Sequence, residues 1–378
     1  MPEIASLAPP VAGTSAVRCG GILTVDLTAL AANFRSLVAW VGSATCAAVV
    51  KANAYGLGAG QVAPALAAAG CRDFFVAHVD EGIALRAILG SAPRIAVLHG
   101  AAGAEQELVA HDLIPVLNDG GQALAWRNLA RRAERHLPAI LQVDTGMARF
   151  GFDYGDLQRL AQEPDALAGI DVRLVMSHLA CADEPDNVAN PTQLAAFVAV
   201  RRLYPGIAGS LAASSGIFLG SAYHADLVRP GAALYGIAPR QVGPNPMRAV
   251  VRLQGRVMQV RCVPAGTHVG YGHSGTLTRE SRLATVGVGY PDGFPRSASG
   301  LGEAWYQHLR LPIVGRVFMD SLILDASDIP PGNLEPGSLV DLIGPKHDPD
   351  AVARAAGTIG YEVLTRLGHR FHRVYQDA

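Results

Sequence analysis

The sequence predicts a (β/α)8 barrel of the TIM type followed by a mainly β C-terminal domain. Three observations lead there. Over about 200 residues, short apolar runs alternate with Ala-, Leu- and Arg-rich stretches of helical period, the pattern of parallel strands joined by crossover helices. After Pro239 the texture changes to alternating runs punctuated by Gly and Pro, as in an all-β module. Half of the 378 residues are hydrophobic and only 17% are charged, so the chain can bury a large core and is not disordered.

Taken in order, residues 1–20 read as a loose arm rich in Ala, Pro, Gly and Ser. A short strand at 21–26 and a helix at 27–40 follow. Strand-like runs then occur at 45–50, 73–77, 95–98, 115–117, 139–144, 172–176, 210–213 and near Leu227, which makes eight. Helical stretches lie between most of them, at 61–69, 81–89, 121–135, 157–162 and 191–203. The barrel is placed at 21–245, with the first strand free to pair with the second domain instead, and that domain at 246–378. Within it, strands are expected at 250–263, 283–288, 311–317, 322–324 and 338–343, and helix over 348–367.

Composition excludes several functions. A net charge of −1 with no basic stripe argues against nucleic acid or an anionic membrane as a partner. No apolar run approaches the roughly 20 residues that span a bilayer, and no secretory signal is evident. Five scattered cysteines without a Cys-x-x-Cys pair fit a reducing cytoplasm and neither a zinc site nor a disulfide framework.

In a parallel barrel the reactive groups gather at the C-terminal strand ends. Those positions hold Lys51, residues 144–149 ending in Arg149, His178, Ser214 with Ser215 and Gly216, and Arg229 before Pro230 and Gly231. Each alone has an ordinary structural explanation: a strand-end lysine reaching solvent, a hydrogen-bonded histidine, a turn serine, an ion-paired arginine. Together an amine, cations, hydroxyls and glycine amides suit an anionic, phosphate-bearing aromatic ligand. The chain lacks G-x-G-x-x-G after its first strand and lacks a P-loop, and its histidines are not spaced as zinc ligands. Pyridoxal phosphate or a Schiff-base aldolase remains.

Residues 49–56 (Val-Val-Lys-Ala-Asn-Ala-Tyr-Gly) resemble the cofactor-lysine signature of alanine racemases, fold-type III pyridoxal phosphate enzymes. Residues 142–149, Ser177-His178, 211–214, 228–231, 270–272, 289–293, 316–320 and Tyr361-Glu362 follow in the family's order. The resemblance implies that Lys51 carries pyridoxal 5'-phosphate and that Tyr55, Ser214, the Gly231 and Ala232 amides and Tyr361 hold its phosphate. Arg229 would face the pyridine nitrogen, His178 would pack beside the ring, and Arg149 and Met319 would contact cofactor oxygen and substrate. Lys51 and Tyr271 would be the two bases on opposite faces of the substrate, Tyr271 coming from the partner subunit of a homodimer. Tyr290, Asp183, Arg296 and Arg316 would form a narrow entrance selecting alanine, converted between L and D forms for peptidoglycan or for catabolism.

The chain departs from the family pattern at Gln142, where many relatives have a modified lysine supporting Arg149, and at Leu57 and Ser210, which replace frequent histidines. A decarboxylase of this fold would need an acid where Arg229 stands. A broader-specificity racemase or a non-catalytic cofactor carrier would share much of the same pattern. Known carriers resemble a lone barrel, whereas this chain has a second domain with Tyr271.

Overall fold

The computed structural model describes residues 16–101, 103–163 and 165–377, which divide into two compact units. One comprises residues 27–248; the other joins the segment up to residue 26 with residues 249 onward.

The first strand, β1 (Gly21–Asp26), belongs to the second of these units rather than to the barrel. Its burial alternates residue by residue, with Leu23 and Val25 fully enclosed, as befits a strand with one face on a core. Of the expected loose arm, residues 1–15 lie outside the described residues. Residues 16–20 are tied down, because the Arg256 guanidinium donates to the carbonyls of Ala16 (2.7 Å) and Cys19 (3.2 Å).

In the unit 27–248, the strands β2 (Thr45–Cys46), β3 (Ala48–Val49), β4 (Asp73–Val76), β5 (Arg94–Val97), β6 (Ile114–Leu117), β7 (Leu137–Gln142), β8 (Ile170–Met176), β9 (Ala208–Ser210) and β10 (Leu227–Val228) follow one another. β3 to β9 form a seven-stranded parallel sheet in sequence order. β10 closes it. The Asp226 and Arg229 N–H groups donate to the carbonyls of Gly209 in β9 and Ala212 just beyond it, while the Thr45, Ala47 and Val49 N–H groups donate to the carbonyls of Asp226, Val228 and Pro230. The run expected as a single strand at 45–50 is therefore two short pieces interrupted at Ala47. These strands read as near-continuous apolar runs because both faces are covered. The helix Gly120–Arg132 shows how the outer layer forms. The Asp119 carboxylate accepts the Gln122 N–H at its start, and Ala123, Trp126, Leu129 and Ala130 make one buried stripe.

The second unit is built on β11 (Val251–Val263), a long strand that pairs with β1 along one half and with β14 (Ser281–Val286) along the other. Between them β12 (His268–Val269) and β13 (Gly275–Thr276) form a small hairpin. β15 (Glu303–Tyr306), β16 (Leu309–Pro312), β17 (Leu322–Asp325), β18 (Leu339–Ile343) and β19 (His372–Gln376) complete an eight-stranded sheet ordered β16-β15-β18-β11-β1-β19, with β14 and β17 branching from β11. β19, which the sequence pattern did not announce, runs parallel to β1. The helix expected over 348–367 is two helices, Pro349–Ala356 and Gly360–Thr365, because Gly357 ends the first in a left-handed conformation.

Candidate active site

A single residue, Val50, separates Lys51 from the end of β3, and the chain then makes one left-handed turn. Ala52, Asn53 and Ala54 lie near φ 52–54° and ψ 48–53°, and Tyr55 has φ 55°. Such a run is rare for residues bearing a Cβ, so it must be held from outside. The Ala54 N–H donates to Val50 O (2.9 Å), Gly56 N–H to Ala52 O (2.8 Å) and Gly58 N–H to Asn53 O (2.9 Å). Asn53 Oδ1 accepts Ala59 N–H (2.8 Å), and Glu81 Oε1 accepts Ala52 N–H (2.6 Å). Burial lowers the Lys51 pKa, and the Arg149 charge lowers it further, while the Glu81 carboxylate opposes both. A half-buried lysine whose pKa is pulled down is suited to covalent and base chemistry.

The turn lays the Tyr55 ring against Tyr235, with centroids 4.7 Å apart, and Tyr235 in turn donates to Val49 O (3.0 Å). The Tyr55 hydroxyl sits directly over Gly231. A Cβ at Gly231 would overlap that oxygen, so only glycine fits beneath it. The Gly231 and Ala233 N–H groups both donate to Ser214 Oγ (3.0 and 3.1 Å). The Gly231 amide, expected to face a ligand, is thus engaged with Ser214. With both lone pairs of its hydroxyl used, Ser214 keeps its proton as a donor. Ala232 is buried beside it, at the start of a short 3-10 turn.

Arg229 is 3% exposed, and its two hydrogen-bond partners are neutral: Ser210 Oγ and the Ser177 carbonyl, the latter at 2.6 Å. Burial alone pulls its pKa down to about 10, so it stays cationic near neutrality. Ser210 thus stands behind Arg229, where some relatives place a histidine, and passes its own proton to Leu227 O (2.6 Å). His178 lies within reach of three cations. Burial first, then Arg229, Arg149 and Lys51, press its pKa down to about 3.

Arg149 ends a loop organised by backbone bonds. Asp144 Oδ1 accepts the Gly146 and Met147 N–H groups, and Oδ2 accepts Ala148 N–H, all at 2.8 Å. Thr145 Oγ1 and Ser177 Oγ share a hydrogen bond of 2.7 Å. The buried Gln142 amide donates to Phe150 O (3.2 Å), the carbonyl immediately after Arg149. The glutamine therefore anchors the main chain next to Arg149. Asp183, on an exposed loop, accepts from Gln241 (2.8 Å).

Two strand-end histidines and one acid of the following helix escaped the sequence reading. His78 after β4 and His99 after β5 meet edge to face, centroids 4.6 Å apart, and His99 also stacks towards Phe150 at 5.1 Å. Burial, then the charges of His78, Lys51 and Arg149, lower the His99 pKa. Glu81, the acid three residues after His78, reaches the lysine turn. The available signal was the rule already applied to Lys51: polar residues directly following barrel strands.

The second unit places the remaining expected residues by itself. Tyr271 tops the turn between β12 and β13, is 68% exposed, and packs on Phe318 with centroids 5.3 Å apart. The Arg316 guanidinium lies under the same turn, 3.7 Å from where a Gly272 Cβ would be. Gly289 presses on the main chain of Met319, whose carbonyl a Cβ there would overlap. Tyr290 N–H donates to Phe318 O (3.1 Å). The buried Asp292 accepts Gly289 N–H (2.8 Å) and binds Arg370 through both oxygens (2.5 and 2.9 Å); Arg370 also reaches Asp320 (2.7 Å). One arginine thus ties the Gly-Tyr-Pro-Asp-Gly and Met-Asp motifs together. Arg296 lies in an exposed 3-10 turn, and Tyr361 opens the helix Gly360–Thr365.

A phosphate-bearing pyridoxal group fits the donor set of the barrel unit. Lys51 supplies the amine, Ser214 a hydroxyl proton, Gly231 the space under Tyr55, and Arg229 a fixed cation whose neighbours bring no competing negative charge. Among the described residues no cluster of three or more metal-ligating side chains occurs, and no helix is long and apolar enough to cross a membrane.

The family described as alanine racemase, N-terminal domain, matches residues 25–239, and its C-terminal domain counterpart matches residues 250–375. A protein of Mesorhizobium japonicum named "Alanine racemase, catabolic" is 52% identical over 96% of this chain and 94% of its own. A Rhodospirillum rubrum alanine racemase is 49% identical over 95% of this chain and 96% of its own. The crystal structure of alanine racemase from Bartonella henselae with covalently bound pyridoxal phosphate aligns with a TM-score of 0.90 and 43% identity, covering 94% of this chain and 99% of that one.

Two expectations follow from the geometry. His178 should stay neutral between pH 5 and pH 8, so its ring nitrogen NMR shifts should not titrate there, and a midpoint near the ordinary 6.5 would contradict the arrangement. Because its folded pKa is depressed, this histidine makes the fold less stable as pH falls below about 6.5 and takes its proton only near its folded pKa. Gly231→Ala should push the Tyr55 ring aside and weaken binding of pyridoxal phosphate by roughly tenfold or more in a spectroscopic titration, with the far-UV circular dichroism unchanged.

Proposed function

The chain belongs to the alanine racemase family, and on that premise we propose that it interconverts L- and D-alanine with Lys51 and Tyr271 as the two proton carriers. The observation that carries this reading is the half-buried Lys51 amine, set beside Arg149, His178 and Arg229 at the mouth of a barrel that also offers a phosphate cradle. Pyridoxal phosphate, when bound, supplies the conjugated ring that accepts electrons as the substrate Cα–H ionises. Lys51 would hold that group, and Ser214, Tyr55, the Ala232 amide and Tyr361 would hold its phosphate. Arg229 would donate to the pyridine nitrogen without surrendering its own proton, since it remains a cation at neutral pH even after burial. Faced by Arg229, the ring nitrogen would stay unprotonated, so the group would supply a restrained electron sink that favours simple return of the proton over side reactions.

Racemisation needs a proton acceptor on each face of Cα. Lys51 Nζ takes or returns the proton of the D enantiomer, and Tyr271 Oη that of the L enantiomer. Arg149 and the Met319 main chain orient the substrate carboxylate. Tyr271 stands exposed on its own unit, available to a second copy of the chain, and we assign it to the partner subunit's site in a homodimer. Tyr290, Arg296, Arg316 and Asp183 frame the entrance, and a narrow mouth selects a methyl side chain by exclusion. Five free cysteines fit a cytoplasmic enzyme. Supply of D-alanine to the cell wall and its removal by catabolism use the same two proton transfers.

The test is to incubate the loaded protein with each L-amino acid and measure enantiomer ratios by chiral chromatography. L-Alanine should racemise well ahead of bulkier substrates. Lys51→Ala should lose the visible-range absorbance of the lysine-linked cofactor, and retention of that band would refute the assignment. Tyr271→Phe should keep the band and lose racemisation by roughly 100-fold or more. Turnover near that of the parent would rule out the two-base reading.

A further inference from the structure

We propose that Glu81 is a positioning residue for Lys51, its carboxylate locking the left-handed turn that aims the amine. This rests on Lys51 being the cofactor lysine. The two carboxylate oxygens serve different segments. Oε2 accepts Ala77 N–H (2.8 Å) and His78 N–H (3.2 Å), at the end of β4 and the start of the helix Val79–Leu89. Oε1 accepts Ala52 N–H at 2.6 Å, the first amide after Lys51 and the first left-handed residue of the turn. An acid at the third helical position commonly caps its own helix, which accounts for the bond to His78. It does not account for the bond to Ala52, a residue 29 positions earlier in the chain.

The turn's internal bonds leave Ala52 N–H to Glu81. The Ala54, Gly56 and Gly58 amides find carbonyls within residues 50–53, whereas the Ala52 amide finds the carboxylate. A charge-assisted bond here fixes the peptide that joins Lys51 to Ala52, and with it the direction in which the lysine leaves the backbone. Since the same carboxylate is fixed to β4, the turn is referenced to the neighbouring barrel strand. Its negative charge also opposes the effect of Arg149 on Lys51. Glu81 need not touch substrate to matter: a lysine misplaced by about 1 Å can lose two orders of magnitude in rate.

The test compares the loaded parent with Glu81→Gln and Glu81→Asp. The amide has a single oxygen and cannot accept from both segments; aspartate keeps the charge and the cap but is one methylene too short to reach Ala52. Both variants should keep the parent's far-UV circular dichroism. Both should need about tenfold more pyridoxal phosphate to label Lys51 on borohydride reduction, read by mass spectrometry of the Lys51 peptide, and both should lose kcat about tenfold with KM for alanine within about twofold. Amide exchange of Ala52, resolved by fragmentation mass spectrometry, should be slow in the parent and at least about tenfold faster in both variants. Labelling and kcat within about twofold of the parent would overturn the proposal. So would an Ala52 amide that exchanges in the parent as fast as an open loop, a result that decides the matter even where a variant folds poorly. If the parent itself is not labelled at Lys51, the cofactor reading fails, and Ala52 exchange still judges the role of Glu81 in the turn.

Discussion

Four consecutive residues with side chains, Ala52 to Tyr55, are held in the left-handed helical region, and the cofactor-binding end of the barrel depends on that strain. The conformation costs about 1–2 kcal/mol per residue, so an isolated peptide of this sequence would abandon it. The surroundings over-determine it instead, through Val50 and Ala52 carbonyls, the Asn53 side chain and Glu81. The result is geometric. A right-handed turn at the same place would direct Lys51 and Tyr55 elsewhere, whereas the left-handed one brings the Tyr55 hydroxyl directly over Gly231.

Electrostatic design around the turn is economical in negative charge. Lys51, Arg149 and Arg229 all bear on His178, which responds by staying neutral. Arg229 is kept buried by a hydroxyl and a carbonyl, and the loop carrying Arg149 is shaped by amide bonds to Asp144 and by the Gln142 side chain. Gln142 brings no charge to this loop: its neutral amide grips the main chain at Phe150, next to Arg149. The second unit uses the opposite device, with Arg370 bound by Asp292 and Asp320, and there the charge pairs are used to fix loops rather than to attract ligand.

Much of this was legible in the sequence because barrel strands are covered on both faces and so appear as unbroken apolar runs, with the polar residue after each run marking the functional end. Lys51, His178 and Arg229 emerge from that rule. His78 and His99 obey it too, yet His78, with Glu81 three residues on, resembles an ordinary helix start, and His99 sits before glycine and alanine with no partner nearby in sequence. The left-handed turn had no visible signature, since Ala-Asn-Ala-Tyr carries no residue that demands positive φ. In the second unit, β15 and β19 were missed because partly exposed strands with charged residues lose the alternation on which recognition depends. Arg370 lies far along the chain from the motifs it joins, so only the folded structure reveals its purpose.

The placement of β1 has a consequence for how the chain is made. Its antiparallel partner, β11, begins at Val251, and its parallel partner, β19, at His372. With translation at about 5–20 residues per second, roughly 10–45 s pass between the emergence of β1 and that of β11. During that interval the entire barrel unit can fold while a strand carrying Leu23 and Val25 waits without its sheet. The barrel unit is thus synthesised between β1 and its partners, and the sheet that contains β1 can form only once β11 and β19 have followed it.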